Sequence, residues 1–401
     1  MRFGRVFMTA FLTIVISVGV SNTSAATTTC APLDPETCTL RELATHLGIR
    51  FGSTLEDFEI ADSDYVGKLG SEFNAVTPEN SLKLYAIQPT QGVWNFAAPD
   101  AIMATAESNG LEVRGHTLVW SQDSRTPVWV KALSDPDELW TATSDHIGQV
   151  LTRYGDRIDR WDVVNEPLET LGTGRSSSVF WSMGDDWIKR VFDLAHSMDP
   201  EAELWINEYG TDWVSGKHQA YLALVKSLVD AGTPIDGVGI QTHRLPNLPL
   251  DRRLFERQLR DFTALGLKVA ITELDVPVSP DQTNAFAWQA TEYSKVVEAC
   301  LAVAGCTEIT VWGLSDRDTW LDGLGLFAVP TRPLLFDDSL QPKPAYDAVR
   351  EAMSKAVRSR ALPSTGEATV EAVTVSLFVV VIGSLVLFHR RHAKVTLRRK
   401  A

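Results

Sequence analysis

Short runs of apolar and β-branched residues alternate along the chain with longer segments of helical periodicity. This alternation is typical of βαβ units, in which helices connect parallel strands. Two of the predicted helices are 187–197 and 219–231, and the second is stopped by Gly232 and Pro234. The eight predicted strands are 49–53, 75–77, 112–117, 158–164, 203–207, 237–242, 269–272 and 308–312. Because eight parallel strands close a barrel, the sequence predicts an α/β fold of the (β/α)₈ TIM-barrel type.

Polar residues stand at the C-terminal ends of most predicted strands, which is where a barrel of this type builds its active site. In chain order they are Glu79, Asn80, His116, Asn165, Glu166, Asn207, Glu208, Gln241, His243, Glu273 and Asp275, and Trp312 closes the last strand. A single polar residue at a strand end is as readily explained as a helix cap or a hydrogen-bonded core group as by a function. Agreement among so many ends favours a functional site.

The fourth and the seventh predicted strands each end on a glutamate, and such strands face each other across a barrel mouth. Hydrolysis of a glycosidic bond needs a proton donor at the leaving oxygen and a nucleophile or an activated water opposite it. We therefore predict Glu166 as the acid/base and Glu273 as the nucleophile. Glu166 can ionise and act as the base once Glu273 has become an ester. Asn165 is placed to hydrogen-bond a sugar hydroxyl beside them.

A sugar ring has an apolar face and a hydroxyl rim, so a sugar-binding subsite combines an aromatic platform with polar groups. Trp312 and Trp320 are candidate platforms, although many of the 12 tryptophans belong to the core. The polar candidates are Glu79, Asn80, Lys83, His116 and Gln241. A hydrogen bond from His243 to Asp275 would hold the imidazole beside Glu273, unless the two residues form a purely structural core pair.

Composition and charge bear on the partners and cofactors of the chain. The formal net charge is −14 and both termini are basic, so the middle of the chain is strongly acidic. That charge argues against nucleic acid as a partner, although solubility alone explains it equally well. His243, Asp275 and Glu208 could be imagined as a metal cluster, but they follow different strands without a recognisable ligand motif. We therefore predict no metal and no organic cofactor.

The N-terminus has the pattern of an export signal. Arg2 and Arg5 precede an apolar run over 6–20, which small residues follow. We predict a signal peptide over 1–26 and a secreted protein, in which disulfides are permitted. The four cysteines lie in two close pairs, Cys30 with Cys38 and Cys300 with Cys306. Structural disulfides are favoured over a zinc site, because no His or Cys stands at metal-ligand spacing.

The C-terminus carries an apolar stretch over 372–388, which is marginally long enough to cross a bilayer, and a basic tail. The preceding Leu-Pro-Ser-Thr-Gly at 362–366 resembles the sortase recognition motif of Gram-positive cell-wall proteins. The resemblance implies that a sortase cleaves between Thr365 and Gly366 and transfers Thr365 to the wall. Only the precursor would then contact the membrane, through its C-terminal segment. A permanently membrane-tethered extracellular domain is the alternative.

These signals divide the chain into parts. We predict a signal peptide (1–26), an N-terminal lead-in (27–46), a monomeric catalytic barrel (47–355), a short linker (356–361) and a sorting signal (362–401). No internal repeat, low-complexity tract or long linker interrupts the region between the two processing signals.

Ordered motifs over most of the predicted barrel resemble those of glycoside hydrolase family 10, the retaining endo-β-1,4-xylanases with a (β/α)₈ fold. The motifs are 72–74 with 77–80, 114–120, 161–167, 234–243, 271–276, 312–313 and 343–346. By this resemblance the substrate is xylan, Glu166 is the acid/base and Glu273 is the nucleophile. The same two roles follow from the residues alone.

The resemblance also implies which residues bind the sugars. Glu79, Asn80 and Lys83 would hold the sugar of the second glycone subsite. The first glycone subsite would be surrounded by His116, Asn165, Gln241, His243 and Trp312. Further substrate contacts would be Trp120, Tyr209 and Trp320, with Asp275 in support. The family also often has a disulfide at the position of Cys300 and Cys306.

The sequence departs from the family's pattern beside these residues. Ser121 stands where a second histidine usually follows the tryptophan of the third strand, and the turn 122–127 is rearranged. Leu84 replaces a tryptophan, and Gly210 replaces an asparagine. Two alternatives to xylan hydrolysis therefore stay open: the same retaining mechanism on another β-linked glycan or glycoside, or a non-catalytic carbohydrate-binding surface protein. The intact glutamate pair argues against the second.

Overall fold

The computed structural model describes residues 30, 37–214, 216–279, 282–324 and 330–361. Its strand segments form one parallel sheet that is curved into a nearly closed barrel. The strands are β1 (Arg50–Leu55), β2 (Ala75–Pro78), β3 (Glu112–Val113), β4 (Gly115–Trp120), β5 (Arg160–Asn165), β6 (Glu203–Glu208), β7 (Gly237–Ile240), β8 (Lys268–Leu274) and β9 (Cys306–Val311). The arrangement is consistent with the predicted (β/α)₈ barrel.

The barrel closes through the third predicted strand, which the structure divides in two. The sheet order is β3-β2-β1-β9-β8-β7-β6-β5-β4, so β3 and β4 lie at its two ends although only Arg114 separates them in the chain. β3 pairs with β2, whereas β4 pairs with β5. The backbone N–H of Arg114 still donates to the carbonyl of Val76 (2.9 Å). One predicted strand therefore supplies both edges at which the sheet meets itself.

Helices connect the strands and surround the barrel. They are α1 (Leu40–Leu47), α2 (Ser63–Glu72), α3 (Leu84–Ile87), α4 (Ala97–Ser108), α5 (Val128–Lys131), α6 (Pro136–Tyr154), α7 (Trp187–Met198), α8 (Lys217–Asp230), α9 (Arg252–Thr263), α10 (Ala285–Leu301), α11 (Trp320–Gly323) and α12 (Pro344–Ala361). The predicted helices 187–197 and 219–231 correspond to α7 and α8. Residues spaced three and four apart on α7, such as Ile188, Val191 and Phe192, are buried, as expected of an amphipathic helix that covers a sheet.

Helices occupy the segments that flank the predicted barrel. The predicted lead-in 27–46 contains most of α1, and the predicted linker 356–361 is the last part of α12. The two helices are in contact, and Arg360 donates to the carbonyl oxygen of Leu47 (2.7 Å). A capping box at Thr39 fixes the start of α1. Both helices therefore belong to the folded domain.

Both predicted disulfides, Cys30–Cys38 and Cys300–Cys306, are confirmed. The second joins the end of α10 to the first residue of β9. Among the described residues, potential metal ligands gather at Cys30, Cys38 and Glu42, where the two sulfur atoms are already bonded to each other.

The predicted signal peptide (1–26) and sorting signal (362–401) lie outside the described residues. The apolar stretch 372–388 lies there too. In the part of the chain that the structure describes, no helix combines the length and the apolar character needed to cross a membrane. Both terminal signals stay predictions.

Charged side chains fill part of the barrel interior below the strand ends. Arg114 pairs with Asp162 on β5 and with Glu308 on β9 (3.1 Å), and Arg160 lies 3.0 Å from Glu308. All four side chains are almost completely buried. Burial alone would raise the pKa of Asp162, but the charge of Arg114 and a bond to His116 lower it to about 2. Asp162 therefore stays ionised beneath the site.

His146 on α6 should make stability depend on pH. Its ring is buried and stacks on Trp94, and burial lowers its pKa to about 4. As the pH falls below about 6.5, His146 becomes protonated in the unfolded chain. In the folded protein it stays neutral until the pH approaches 4. We expect this residue to lower the free energy of unfolding by about 3 kcal/mol over that interval.

Urea unfolding of the wild type and His146→Gln at pH 7.5, 5.5 and 4 measures this loss. Other groups titrate alike in both proteins, so the difference between their free energies of unfolding isolates His146. We expect the free energy of unfolding of the variant to rise relative to that of the wild type as the pH falls. Two curves that remain parallel would contradict the assignment.

Candidate active site

A cleft of about 490 Å³ opens at the C-terminal ends of the strands. It gathers both predicted catalytic glutamates and every predicted sugar contact: Glu79, Asn80, Lys83, His116, Trp120, Asn165, Glu166, Tyr209, Gln241, His243, Glu273, Trp312 and Trp320. Asp275 lies behind this surface. Residues that the sequence analysis did not select also line the cleft: Gln122, Ser124, Arg125, Thr170, Gly323 and Leu324.

Glu166 follows directly after β5 and is partly exposed to the cleft. Its backbone is in the left-handed region (φ 56°), which costs a non-glycine residue about 1 kcal/mol. The backbone N–H of Glu166 donates to the carbonyl of Asn207 on β6 (2.9 Å), which fixes this turn. Gln241 donates to Oε1 of Glu166 (3.0 Å), and Asn165 lies 3.3 Å from the same oxygen. The carboxyl group is thus oriented through one oxygen.

Glu273 lies near the end of β8, and its carboxylate is held through both oxygens. Asn207 donates to Oε1 (2.7 Å), and Nε2 of His243 lies 3.1 Å from Oε2. Burial alone would raise the pKa of Glu273, but the hydrogen bond from His243 and the charges of His243 and Lys83 lower it below its usual value. Glu273 is therefore ionised at neutral pH, as a nucleophile must be.

Three amide side chains connect the two glutamates. Oδ1 of Asn165 accepts from Asn207 (2.9 Å) and from Gln241 (3.2 Å). Asn207 also donates to Glu273, and Gln241 also donates to Glu166. The two carboxyl groups are thus positioned by a single network. From the sequence, Asn207 was predicted as a polar strand end without a catalytic or binding role.

His243 is held between two carboxylates. Its Nδ1 lies 2.8 Å from Oδ2 of Asp275, and Trp320 donates to the same oxygen (2.8 Å). Burial alone would lower the pKa of His243, but Asp275 and Glu273 raise it to about 10. The ring is therefore an imidazolium at neutral pH, and it donates to Asp275 through Nδ1 and to Glu273 through Nε2. The predicted contact between His243 and Asp275 is present.

Asp275→Asn should bring the pKa of His243 down from about 10, by roughly 1 to 3 units, the shift that one neighbouring carboxylate causes. The amide still accepts the Nδ1 proton, so the ring should keep its place and lose its charge at a lower pH than in the wild type. NMR titration of the His243 ring measures the pKa directly. We also expect initial rates to fall at pH values where Nε2 has lost the proton it shares with Glu273.

Trp320→Phe is the matched control, because it removes the other hydrogen bond to Asp275 and leaves the charge. We expect it to leave the pKa of His243 close to the wild-type value. An unchanged His243 titration in Asp275→Asn would contradict this account.

One wall of the cleft carries a buried cation. The ammonium of Lys83 lies 4.2 Å from the ring centroid of Trp120 and 6.0 Å from that of Trp312. Burial lowers the pKa of Lys83, and the charges of Glu273 and Glu79 oppose that effect. Aromatic surface and a hydrogen-bond donor therefore stand side by side, which suits a sugar ring with an apolar face and a hydroxyl rim.

Asn80 on the same wall is held by residues that sequence reasoning missed. Tyr85 donates to Oδ1 of Asn80 (2.7 Å), and the backbone N–H of Asn80 donates to the carboxylate of Glu56. Burial, and then the charge of Glu79, raises the pKa of Glu56 to about 7. β1 extends two residues beyond its predicted end at 53, so Glu56 is the polar end of the first strand. The strand-end pattern would have selected it had the boundary been right.

Glu208 fixes the segment that follows Glu166. It is fully buried, lies 3.0 Å from the ammonium of Lys217, and accepts from the backbone N–H groups of Leu168 and Tyr209 (3.0 Å each). Burial raises the pKa of Glu208 to about 8 against the opposing charge of Lys217. The Lys217 ammonium also lies 3.8 Å from the ring centroid of Tyr209. This pair supports the cleft wall from behind.

Three of the departures from the family's pattern lie behind the surface of the cleft. Ser121 is buried, with its hydroxyl 2.9 Å from that of Ser176. Leu84 begins α3, and Gly210 adopts φ 69°, which suits glycine. None of the three lines the described part of the cleft. The rearranged turn does line it, through a 3₁₀ helix at Asp123–Arg125 and the preceding Gln122.

Comparisons with known proteins agree with this geometry. The model of the family described as glycosyl hydrolase family 10 matches residues 39–352. Endo-1,4-beta-xylanase A of Phanerodontia chrysosporium is 34% identical over 319 residues, which are 78% of this chain and 76% of that protein. Endo-1,4-beta-xylanase 3 of Hypocrea jecorina is 37% identical over 280 residues, or 70% and 75% of the two chains.

Solved structures are similar over the same region. Native xylanase 10B from Thermotoga maritima has a TM-score of 0.75 and 33% identity, and the match covers 80% of this chain and 100% of that one. Xylanase 10B from Thermotoga petrophila in complex with xylobiose has a TM-score of 0.75 and 32% identity, with 80% and 98% coverage. Sequence and structure therefore point to the same family.

Proposed function

Because the chain belongs to glycosyl hydrolase family 10 and is an enzyme of the endo-1,4-β-xylanase type, we propose that it hydrolyses internal β-1,4 bonds of xylan with net retention of configuration. One observation carries the proposal: Glu166 and Glu273 line one cleft and are joined by a network of amide side chains. The relatives' names support xylan as the substrate. A further support is the xylobiose bound to a solved neighbour.

In the first step, Glu273 attacks the anomeric carbon as a carboxylate. The bond from this carbon to the leaving oxygen breaks while Glu166 gives its proton to that oxygen. The products are a glycosyl ester on Glu273 and a shortened chain that carries the proton. The lowered pKa of Glu273 supports its role as nucleophile, because it keeps the attacking oxygen free of a proton.

In the second step, Glu166 acts as the base. It takes a proton from water, the water oxygen attacks the anomeric carbon, and the ester bond to Glu273 breaks. The departing carboxylate regains a negative charge. His243 is placed to stabilise that charge, because its Nε2–H donates to Oε2 of Glu273. Two inversions give net retention.

The sugar contacts follow from the walls of the cleft. We assign Glu79, Asn80 and Lys83 to the second glycone subsite, where the buried ammonium of Lys83 lies beside the ring of Trp120. The first subsite is assigned to the residues around Glu273, with Trp312 as its platform. Asn165 has one amide oxygen engaged and an N–H group near Glu166 that can donate to a sugar hydroxyl.

Product analysis tests the activity. The purified chain is incubated with xylan, soluble cellulose and mixed-linkage β-glucan, and chromatography identifies the oligosaccharides released. We expect a series of xylo-oligosaccharides from xylan at early times, as internal cleavage requires. Release of xylose or xylobiose alone from the start would contradict internal cleavage.

Proton NMR of the first products tests retention. Retaining enzymes hold their two carboxyl groups about 5 Å apart, and inverting enzymes hold them further apart to admit a water. We expect the β anomer to form first and the α anomer to appear later by mutarotation. The α anomer as the first product would overturn the double displacement.

A second candidate is the same mechanism on another β-linked glycan or glycoside. It is favoured by Ser121 and Leu84, which stand where the resemblance leads us to expect histidine and tryptophan. Products from β-glucan and none from xylan would support this candidate and keep the catalytic assignment.

We also propose that the enzyme is exported and displayed on a Gram-positive cell wall. The export pattern at 1–26 and the order of motif, apolar stretch and basic tail after residue 361 support this. Purified sortase with an amine nucleophile should yield a product that ends at Thr365, identified by mass spectrometry. Pro363→Ala is the control and should remain uncleaved. No cleavage of the wild type would favour the membrane-tethered alternative.

A further inference from the structure

We propose that Arg125 makes the cleft selective for xylan that carries uronic acid side groups. The inference rests on the xylanase function proposed above. Arg125 ends the 3₁₀ helix Asp123–Arg125, in the turn that departs from the family's pattern, and its side chain lines the cleft. Its guanidinium lies 5.2 Å from the ring centroid of Trp120. It therefore stands on the same wall as Lys83, at the glycone side of the cleft.

Arg125 is exposed, and no ion pair among the described residues includes it. The nearest carboxylate in sequence, Asp123, is occupied elsewhere. Oδ1 of Asp123 accepts from the backbone N–H of Val179 (2.8 Å), and Oδ2 accepts from the hydroxyl of Ser177 (3.4 Å). The guanidinium thus faces the cleft with its hydrogen-bond donors available.

The charges of the cleft do not require this arginine. Glu273 has His243 at hydrogen-bond distance, and Lys83 acts on both Glu273 and Glu79. Lys83 is buried within the wall, whereas Arg125 is exposed at its surface. Because His243 and Lys83 already lie near these carboxylates, the exposed charge of Arg125 is suited to an anionic group on the ligand.

A carboxylate on the substrate explains the arginine best. The backbone of xylan is neutral, so a guanidinium can offer it hydrogen bonds but no attraction between opposite charges. A planar guanidinium binds a carboxylate through two parallel hydrogen bonds, and a uronic acid side group presents a carboxylate beside the main chain. The chain has a net charge of −14, which repels an acidic polysaccharide. Arg125 supplies a local attraction where the polymer enters the cleft.

The experiment compares three substrates of equal backbone length: a linear xylo-oligosaccharide, one with a single uronic acid branch, and that branched compound after reduction of its carboxyl group. Each is assayed with the full chain as wild type, Arg125→Ala, Arg125→Lys and Arg253→Ala. Arg253 is an exposed arginine on α9 that does not line the cleft, so its replacement removes the same charge elsewhere.

We expect Arg125→Ala to lower kcat/KM for the acidic substrate roughly fivefold, the size of one exposed charged contact. The linear and the carboxyl-reduced substrates should change by less than about twofold, because neither carries a carboxylate. Arg125→Lys should recover part of the loss, and added salt should shrink it. Arg253→Ala should behave as the wild type.

Two results would overturn the inference. An equal loss on all three substrates would mean that Arg125 serves only to support Trp120. No loss on the acidic substrate would mean that the guanidinium does not reach the branch.

A binding titration separates this inference from the proposed function. If the wild type cleaves none of the substrates, xylan hydrolysis fails, and affinity then decides the role of Arg125. Calorimetry compares the acidic and the carboxyl-reduced oligosaccharides in the Glu166→Gln background, with and without Arg125→Ala. We expect tighter binding of the acidic compound only where Arg125 is present. Equal affinities would overturn the selectivity.

Discussion

Glu273→Ala is expected to reduce the hydrolysis of xylan by roughly 10⁵-fold or more, the scale on which removal of a covalent nucleophile acts in other enzymes. The reason is geometric. Among the residues that the structure describes, only Glu273 combines an ionised carboxylate, a hydrogen bond to each oxygen and a place in the same cleft as Glu166. Without it no ester can form, and water has no base on that side of the sugar. Initial rates on xylan and on a linear xylo-oligosaccharide measure the effect.

A small anion provides the positive test for this role. Alanine leaves space at the nucleophile's position, so azide should restore turnover of an activated glycoside and give a glycosyl azide of inverted configuration. Glu351→Ala, which removes an exposed carboxylate on α12, is the control and should keep wild-type rates. Full activity of Glu273→Ala would refute the assignment. A wild type that binds xylan without any turnover would favour the carbohydrate-binding alternative.

The positions of the strands could be predicted because each is a short apolar run between helical segments. Their ends were less certain, and the errors had consequences. β1 ends at Leu55 rather than at 53, so Glu56 was not predicted as the polar residue at the end of the first strand. The third predicted strand is broken at Arg114, whose side chain enters the barrel to meet Asp162 and Glu308. No local sequence pattern predicts this break, because the break depends on the positions of Asp162 on β5 and Glu308 on β9.

The packing at the two ends of the domain could not be predicted for a related reason. α1 and α12 are far apart in sequence and stabilise each other by packing. A helix of eight residues such as α1 is marginal by itself, so its membership of the fold depends on its partner. Local sequence shows a capping pattern at Thr39 but does not identify α12 as that partner. The predicted catalytic barrel, 47–355, therefore leaves out most of α1 and the last part of α12.

The lining of the cleft was easier to predict than the groups behind it. The strand-end rule needs only a residue's place in the chain, and it selected Glu79, Gln241 and Trp312. The network of Asn207 and the pair of Glu208 with Lys217 depend on contacts between elements that are distant in sequence. The same holds for the charge of His243, which two strands determine together. Those properties emerge only from the three-dimensional arrangement.

Glu166→Ala is expected to have an effect that depends on the leaving group. Loss of a general acid slows reactions that need protonation by roughly 10²- to 10⁴-fold. Xylan should show this loss, because an alkoxide is a poor leaving group. An aryl β-xylobioside fills both glycone subsites and releases a phenolate that departs without a proton, so it should form the ester on Glu273 at close to the wild-type rate. The second step still lacks its base, so the ester should accumulate and both kcat and KM should fall for this substrate.

Stopped-flow assays with the aryl substrate should therefore give a burst of phenolate followed by slow turnover, and mass spectrometry should detect the glycosylated chain. Azide needs no base, so it should accelerate the second step and give a glycosyl azide of retained configuration. Glu79→Gln is the matched control: this carboxyl group lines the same cleft and has no proton to transfer in the proposed mechanism. The loss of kcat/KM in Glu79→Gln should be similar for xylan and for the aryl substrate. The reason is that this change affects sugar binding and not the departure of the leaving group. Equal losses on both substrates for Glu166→Ala would show that Glu166 only binds the sugar, and the acid would then have to be another group in the cleft.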